Sequence, residues 1–301
     1  MIASKSKEIP MKSRLSGFTM IELVVVMAII GTLIGLMLPA LHRVRDRASR
    51  AACANNLKQI GLGLHGYHDS NQTLPPGGVG YGDKYPFVAW STRILPHMDQ
   101  GSLWLEAMES YKKQRNFSLP HPHPGLSRVI SVYLCPADGR RSDEVGRRNI
   151  TVAFTGYLGV SGSTGPRSGV LCFDSKVRLG EVADGTSNTL AVGERPPSPI
   201  KWLGWWYAGI GQNFDGSADY IMQVRETNRT PRLPTCPRGP YHFGPGSADD
   251  ECDTLHFWSQ HYSGANFLFC DGSVRFLRYS ADPIMPALAT RAGREPVTMP
   301  E

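Results

Sequence analysis

The sequence predicts an α+β protein in which a long N-terminal helix leads into a loop-rich antiparallel β-sheet domain. Three features predict it. The run Phe18 to Leu38 is apolar with one charge, Glu22; apolar residues then recur at helical spacing from Leu41 to Leu64; and short apolar runs bounded by turn residues follow, ending in an Asp-Gly hairpin signal. At 301 residues and 41% hydrophobic the chain can bury a real core, and its 32 Gly and 23 Pro call for many turns. The net charge is +6, of which +3 precedes Gly17, and no Lys/Arg stretch interleaved with aromatics supports nucleic-acid binding.

The apolar run is the first element. Its 21 residues from Phe18 to Leu38, at about 1.5 Å rise each, match the ~30 Å hydrocarbon core of a bilayer. A cleavable secretory signal has a shorter apolar core and a small-x-small site, whereas this run ends Met37-Leu38-Pro39-Ala40. A buried soluble helix rarely stays apolar all round for so long. A carboxylate within such a span is costly, so Glu22 needs a partner or a place near one end. Pro39 lacks the N–H that would bond residue 35 and is expected to kink the helix, while Gly31 and Gly35 have the spacing of a close-packing motif. Four basic residues flank the run on each side, so charge does not orient it.

Beyond Pro39, Leu41, Val44, Ala48, Leu57, Ile60 and Leu64 continue the helix to about His68, with Gly61, Gly63 and Gly66 weakening its last turns. SNQTLPPGGVGYG is a loop, and residues 88–108 predict a second short helix or turn-helix, with Pro96 marking a break. Strands are expected in ISVYLCPADG, TGYLGVSG, SGVLCFDS and TLAVGER. ANFLFC and SVRFLR flank Asp271-Gly272 as a hairpin with a two-residue turn, and residues 281–301 read as a frayed tail. Six cysteines are either small buried hydrophobes or bridges, Cys236 and Cys252 being the best candidate pair across a short loop.

A basic leader, Gly17, Phe18, Thr19, Glu22 and then an apolar run together resemble the processing site of type IV prepilins and type II secretion pseudopilins. The resemblance implies a pilin-like fold and cleavage by prepilin peptidase after Gly17. It also implies methylation of the new Phe18 amine and pairing of Glu22 with the amine of a neighbouring subunit. Pro39 matches the proline that bends or locally melts pilin helices. The implied layout is a leader at 1–17, a transmembrane helix at 18–41 and its amphipathic continuation at 42–70, then an extracytoplasmic β-rich domain at 71–280 and a tail at 281–301. The leader would be cytoplasmic, the chain single-pass in the cytoplasmic membrane, and the head at the cell surface after assembly.

A second resemblance covers roughly residues 17–280. CANNLKQIGLGLHGYHD (53–69), LPPGG, YLCPADG (133–139), DGTSNTLAVGE (184–194) and an H-x9-DG motif, His261 to Asp271-Gly272, are similar to the planctomycete prepilin-like family known as domain of unknown function 1559. Family members follow the histidine with a glycine pair, where this chain has Tyr262-Ser263-Gly264-Ala265. The family has been grouped with solute-binding proteins, so the resemblance implies architecture more than activity.

Candidate chemistry is sparse. Asp249, Asp250, Glu251 and Asp253 form an acidic loop whose hard oxygens suit calcium, while His256 and His261 fit no zinc spacing. His261 and Asp271 read as a hydrogen bond or Asp turn closing the hairpin. Trp202, Trp205, Trp206 and Tyr207 read as core or, alternatively, as a stacking surface. No hydrolase, phosphate-loop or dinucleotide motif suggests an enzyme or an organic cofactor. The expected function is a pilin-like structural subunit working with prepilin peptidase, membrane lipid and other pilin-like subunits. The alternative is a membrane-tethered protein binding a solute or polysaccharide.

Overall fold

A computed structural model describes residues 19–118, 123–140, 143–145, 151–165, 167–197 and 199–296. Gly17 and Phe18 lie outside them. The described chain is α+β and divides into two units, residues 1–45 and 46–301.

Helix α1, Met20–Asn71, is 52 residues long. It starts at a capping box: the Thr19 backbone N–H and hydroxyl both donate to Glu22 Oε2 at 2.8 Å, and the Glu22 N–H donates back to Thr19 Oγ1 at 3.4 Å. Glu22 is therefore satisfied within its own first turn. The stretch Met20–Leu38 is long and apolar enough to cross a membrane, and none of it is buried. The helix is continuous through Pro39, so the missing hydrogen bond to residue 35 does not end it.

In the second unit α1 becomes one-sided. Cys53, Leu57, Ile60 and Leu64 are buried while Lys58 and Leu62 face outward, the i, i+4, i+7, i+11 stripe of an amphipathic helix. The glycines that cost helix propensity are contact points. A Cβ on Gly61 would come within 2.9 Å of Leu268, and one on Gly63 within 2.7 Å of Met98. They let the helix lie close against its neighbours. Two shorter helices follow, α2 (Trp90–Arg93) and α3 (Gly101–Lys113), with a 3-10 turn at Leu95–His97 between them at the expected break.

The sheet has five strands in the order β5 (Ile221–Gln223), β3 (Tyr157–Gly162), β4 (Leu190–Glu194), β6 (Gly264–Phe269), β7 (Val274–Arg278). It is mixed, correcting the all-antiparallel expectation, because β5 runs parallel to β3. A separate antiparallel pair joins β1 (Asp143–Val145) and β2 (Thr151–Ala153). Both faces of the central sheet are covered, which is why its strands read as continuous apolar runs. Leu268 of β6 belongs to the cluster containing Leu57, Ile60 and Leu64 of α1, while Ala265, Phe267 and Phe269 belong to a second cluster with Met285 and Leu288. Those last two lie on α4 (Met285–Ala289), so the expected frayed tail instead continues the fold, and its buried apolar residues cover one face of the sheet.

Two expected strands are absent among the described residues. ISVYLCPADG forms a 3-10 turn at Ser131–Tyr133, and SGVLCFDS contributes an isolated bridge, Gly78 to Phe173. The β6–β7 hairpin is present, but Phe269 N–H bonds Ser273 O, so its loop is Cys270-Asp271-Gly272 and not Asp-Gly alone. Gly272 has φ of 82°, the left-handed position that ends a three-residue loop.

Candidate functional site

Four segments far apart in sequence meet at one point. Cys53 comes from the buried stripe of α1 and Cys135 from the turn after Ser131–Tyr133. Glu194 ends β4, and His261 lies in the turn before β6. One ligand atom from each lies within 4.8 Å of every other, the one such group of His, Cys, Asp and Glu among the described residues.

Each member is positioned by its own element. Asn56, three residues after Cys53 on α1, donates from Nδ2 to the Leu134 carbonyl at 2.8 Å and so pins the loop carrying Cys135. Glu194 is buried on the central strand, accepting from Asn266 N–H at 2.6 Å and Asn266 Nδ2 at 3.1 Å. The His261 N–H donates to Ser259 Oγ at 3.0 Å, fixing the turn, and its imidazole is wholly buried.

Cys53 and Cys135 are joined as a disulfide, 82 residues apart in sequence; the expected pair Cys236–Cys252 is also joined. Against the first bridge, His261 Nε2 stands 3.5 Å from Cys135 Sγ and 3.5 Å from Glu194 Oε1. A disulfide sulfur carries no proton to donate. His261 Nδ1, also buried, has no hydrogen-bond partner and lies 3.9 Å from Asp46 Oδ1, beyond hydrogen-bond range. An unpaired buried ring nitrogen costs about 1–3 kcal/mol, so this imidazole is held where its own bonding is poor. A small crevice of about 30 Å³ touches Cys135 and Glu194 and is also lined by Asp138, Arg140 and Ser259. Cys172 and Cys270 are free, buried thiols elsewhere; burial pushes the Cys172 thiol up to about 11 and raises Cys270 further still.

A family model described as a protein of unknown function (DUF1559) matches residues 42–284, and one for the prokaryotic N-terminal methylation motif matches residues 12–38. The chain belongs to the DUF1559 family. No curated protein and no solved structure matches it. The methylation motif makes the DUF1559 protein, at a general level, a type IV pilin-like or pseudopilin-type chain with one N-terminal apolar helix suited to single-pass anchoring. Each of the four clustered residues comes from a different segment that carried the resemblance: Cys53 from CANNLKQ, Cys135 from YLCPADG, Glu194 from AVGE and His261 from the H-x9-DG motif.

The other candidate residues scatter. His261 does not close the hairpin on Asp271; Asp271 Oδ1 instead accepts from Ser273 N–H at 2.8 Å, an Asp turn within its own loop. The acidic run is divided among local contacts and forms no converging group among the described residues. Asp253 bonds His256 Nε2 at 2.8 Å and Ser247 N–H at 2.6 Å. Asp250 accepts from Cys252 N–H at 2.8 Å, and Glu251 accepts from the Thr235 hydroxyl. Asp249 is exposed and its N–H bonds Ser247 Oγ.

The aromatic cluster splits in two. Trp206 and Tyr207 are fully buried, with Trp206 Nε1 donating to Arg128 O at 2.8 Å. Trp202 and Trp205 border a cleft of about 710 Å³ whose wall includes Tyr81, Phe117 and Arg232. Asp219, which also lines it, is fully buried, accepting N–H bonds from Gly204, Trp205 and Gly211 at 3.0, 2.9 and 3.3 Å. Desolvation outweighs these donors and pushes its carboxyl up to about 6.

Proposed function

We propose that this protein is a pilin-like structural subunit, cut by prepilin peptidase after Gly17, held in the cytoplasmic membrane by residues 18–38 and assembled with other pilin-like subunits, its head outside the cytoplasm. The observation that carries the reading is the wholly exposed apolar segment Met20–Leu38, which lies within the N-terminal methylation-motif match at residues 12–38. Apolar surface of that extent is stable only in lipid or against like segments of other subunits.

The capping box supports the same reading. Cleavage after Gly17 leaves Phe18 as the single residue ahead of the Thr19 cap, so the free amine would sit at the positive end of the helix dipole. Glu22 supplies the opposing charge there while keeping its hydrogen bonds to Thr19.

Glu22→Gln separates capping from charge, because a glutamine still completes the box. The expected outcome in cross-linked cells is a processed, membrane-bound variant that has lost the ladder of subunit cross-links given by the wild type. An undiminished ladder would contradict charge-registered assembly.

A second reading, a membrane-tethered binding protein, is favoured by the cleft beside Trp202 and Trp205, whose size falls within the range of small-ligand sites. A wild type that is processed and anchored yet never cross-links to itself or to other subunits would favour it.

A further inference from the structure

We propose that Cys53, Cys135, Glu194 and His261 form a two-state centre: a disulfide when oxidised and, with both thiols reduced, a four-ligand site for a divalent metal ion of the zinc class. Metal–ligand bonds of about 2.0–2.3 Å place the corners of a tetrahedron roughly 3.3–3.8 Å apart. Three edges already stand close to that in the folded chain. His261 Nε2 to Cys135 Sγ is 3.5 Å, His261 Nε2 to Glu194 Oε1 is 3.5 Å, and Cys135 Sγ to Glu194 Oε1 is 3.9 Å. Breaking the sulfur–sulfur bond frees Cys53 Sγ to withdraw to the fourth corner by side-chain rotation.

The surroundings fit the same chemistry. Two thiolates, an imidazole and a carboxylate are donors that zinc accepts together, whereas calcium takes oxygens. A metal-bound histidine characteristically turns its other ring nitrogen to a carboxylate. The unpartnered Nδ1 of His261 faces Asp46 Oδ1 at 3.9 Å, one short side-chain adjustment from a bond. Asp46 stands seven residues before Cys53 on the same face of α1. The crevice at Cys135 and Glu194 supplies a way in.

The chemistry balances. A thiol reductant gives two electrons and two protons to the disulfide and ends as its own disulfide. The two Cys thiols then bind the metal as thiolates and release two protons. In the reverse direction a disulfide oxidant takes two electrons from the two thiolates, ends as two thiols with protons from water, and the metal leaves, so the two states exclude one another.

The test uses the full chain in detergent micelles, reduced with a phosphine, which ends as the phosphine oxide, and stripped of metal. Titration with Co²⁺ is expected to give one equivalent bound per chain with cobalt–thiolate charge-transfer absorption, displaced by Zn²⁺ and absent from the oxidised chain. His261→Gln and Glu194→Gln should weaken binding by more than about a hundredfold, and Asp46→Asn by about tenfold. Cys236→Ser/Cys252→Ser should bind as the wild type does. Independently of any variant, Zn²⁺ should protect Cys53 and Cys135 from alkylation while Cys236 and Cys252 react. A reduced chain that binds no stoichiometric metal, that unfolds with Zn²⁺ present, whose absorption survives both glutamine substitutions, or whose Cys53 and Cys135 alkylate equally fast with Zn²⁺ would overturn the proposal.

Discussion

The two ends of helix α1 obey opposite rules. From Met20 to Leu38 the side chains are apolar except Glu22 and Thr32, and none is buried; from Asp46 onward one stripe, Cys53, Leu57, Ile60 and Leu64 with Gly61 and Gly63, is buried and the opposite face is polar or exposed. One helical backbone serves two solvents. The first stretch is written for an apolar environment that the chain does not itself supply, and the second for a core that it does. The stability of the head should therefore depend on its own bridges and packing and be indifferent to changes in the apolar stretch.

The largest expected effect breaks the head alone. In chain-entropy terms the Cys53–Cys135 bridge, closing 82 residues, contributes about 4.5 kcal/mol and Cys236–Cys252, closing 16, about 3 kcal/mol. Denaturant unfolding of metal-free Cys53→Ser/Cys135→Ser and Cys236→Ser/Cys252→Ser should rank them in that order, and the reverse ranking would count against the first bridge as the main covalent tie.

The complementary change breaks the apolar stretch alone. Ile29→Arg should cost about 2.5–3.5 kcal/mol of membrane insertion and leave the head's thermal midpoint unmoved. Alkaline extraction of membranes and melting in detergent measure the two separately; a shifted midpoint would mean that the apolar stretch stabilises the head.

A smaller effect sharpens the comparison within the head, where a charge is buried without membrane. The folded-state pKa of Asp219, about 6, lies above its unfolded value of 3.8. Its favourable contribution is thus complete below about pH 4 and lost as pH rises through about 6, by up to ~3 kcal/mol. The stability of wild type minus Asp219→Asn should fall by that amount between pH 4 and 7, and a flat difference would mean that the three N–H donors offset burial. The smallest effect is local: Gly272→Ala, at φ of 82°, should cost about 1 kcal/mol in the hairpin and nothing in anchoring.

Much of this division was legible in the residues. The apolar run, the amphipathic continuation and the hairpin all depend on local periodicity or turn chemistry, which neighbours in sequence carry. Cys236–Cys252 was legible for the same reason. Cys53–Cys135 was not, because nothing local relates residues 82 apart; the cluster with Glu194 and His261 exists only once β4 and β6 lie side by side. The Thr19–Glu22 box was legible as T-x-x-E, a local pattern that gives a carboxylate in an apolar run hydrogen bonds three residues away. At Gly61 and Gly63 only the cost in helix propensity was legible, because propensity is local, while close approach to Leu268 and Met98 is tertiary. Continuous apolar runs also predicted strands at ISVYLCPADG and SGVLCFDS, where the chain instead buries loops against the sheet.

The most direct test of the pilin-like reading is the mature N-terminus of the membrane-bound protein, determined by intact mass and terminal sequencing after expression with its prepilin peptidase, beside a Gly17→Ala control. The account predicts a chain beginning at methylated Phe18 in the wild type and an uncut leader in the control. An intact wild-type leader, or a cut near Ala40 that removes the apolar stretch, would contradict it.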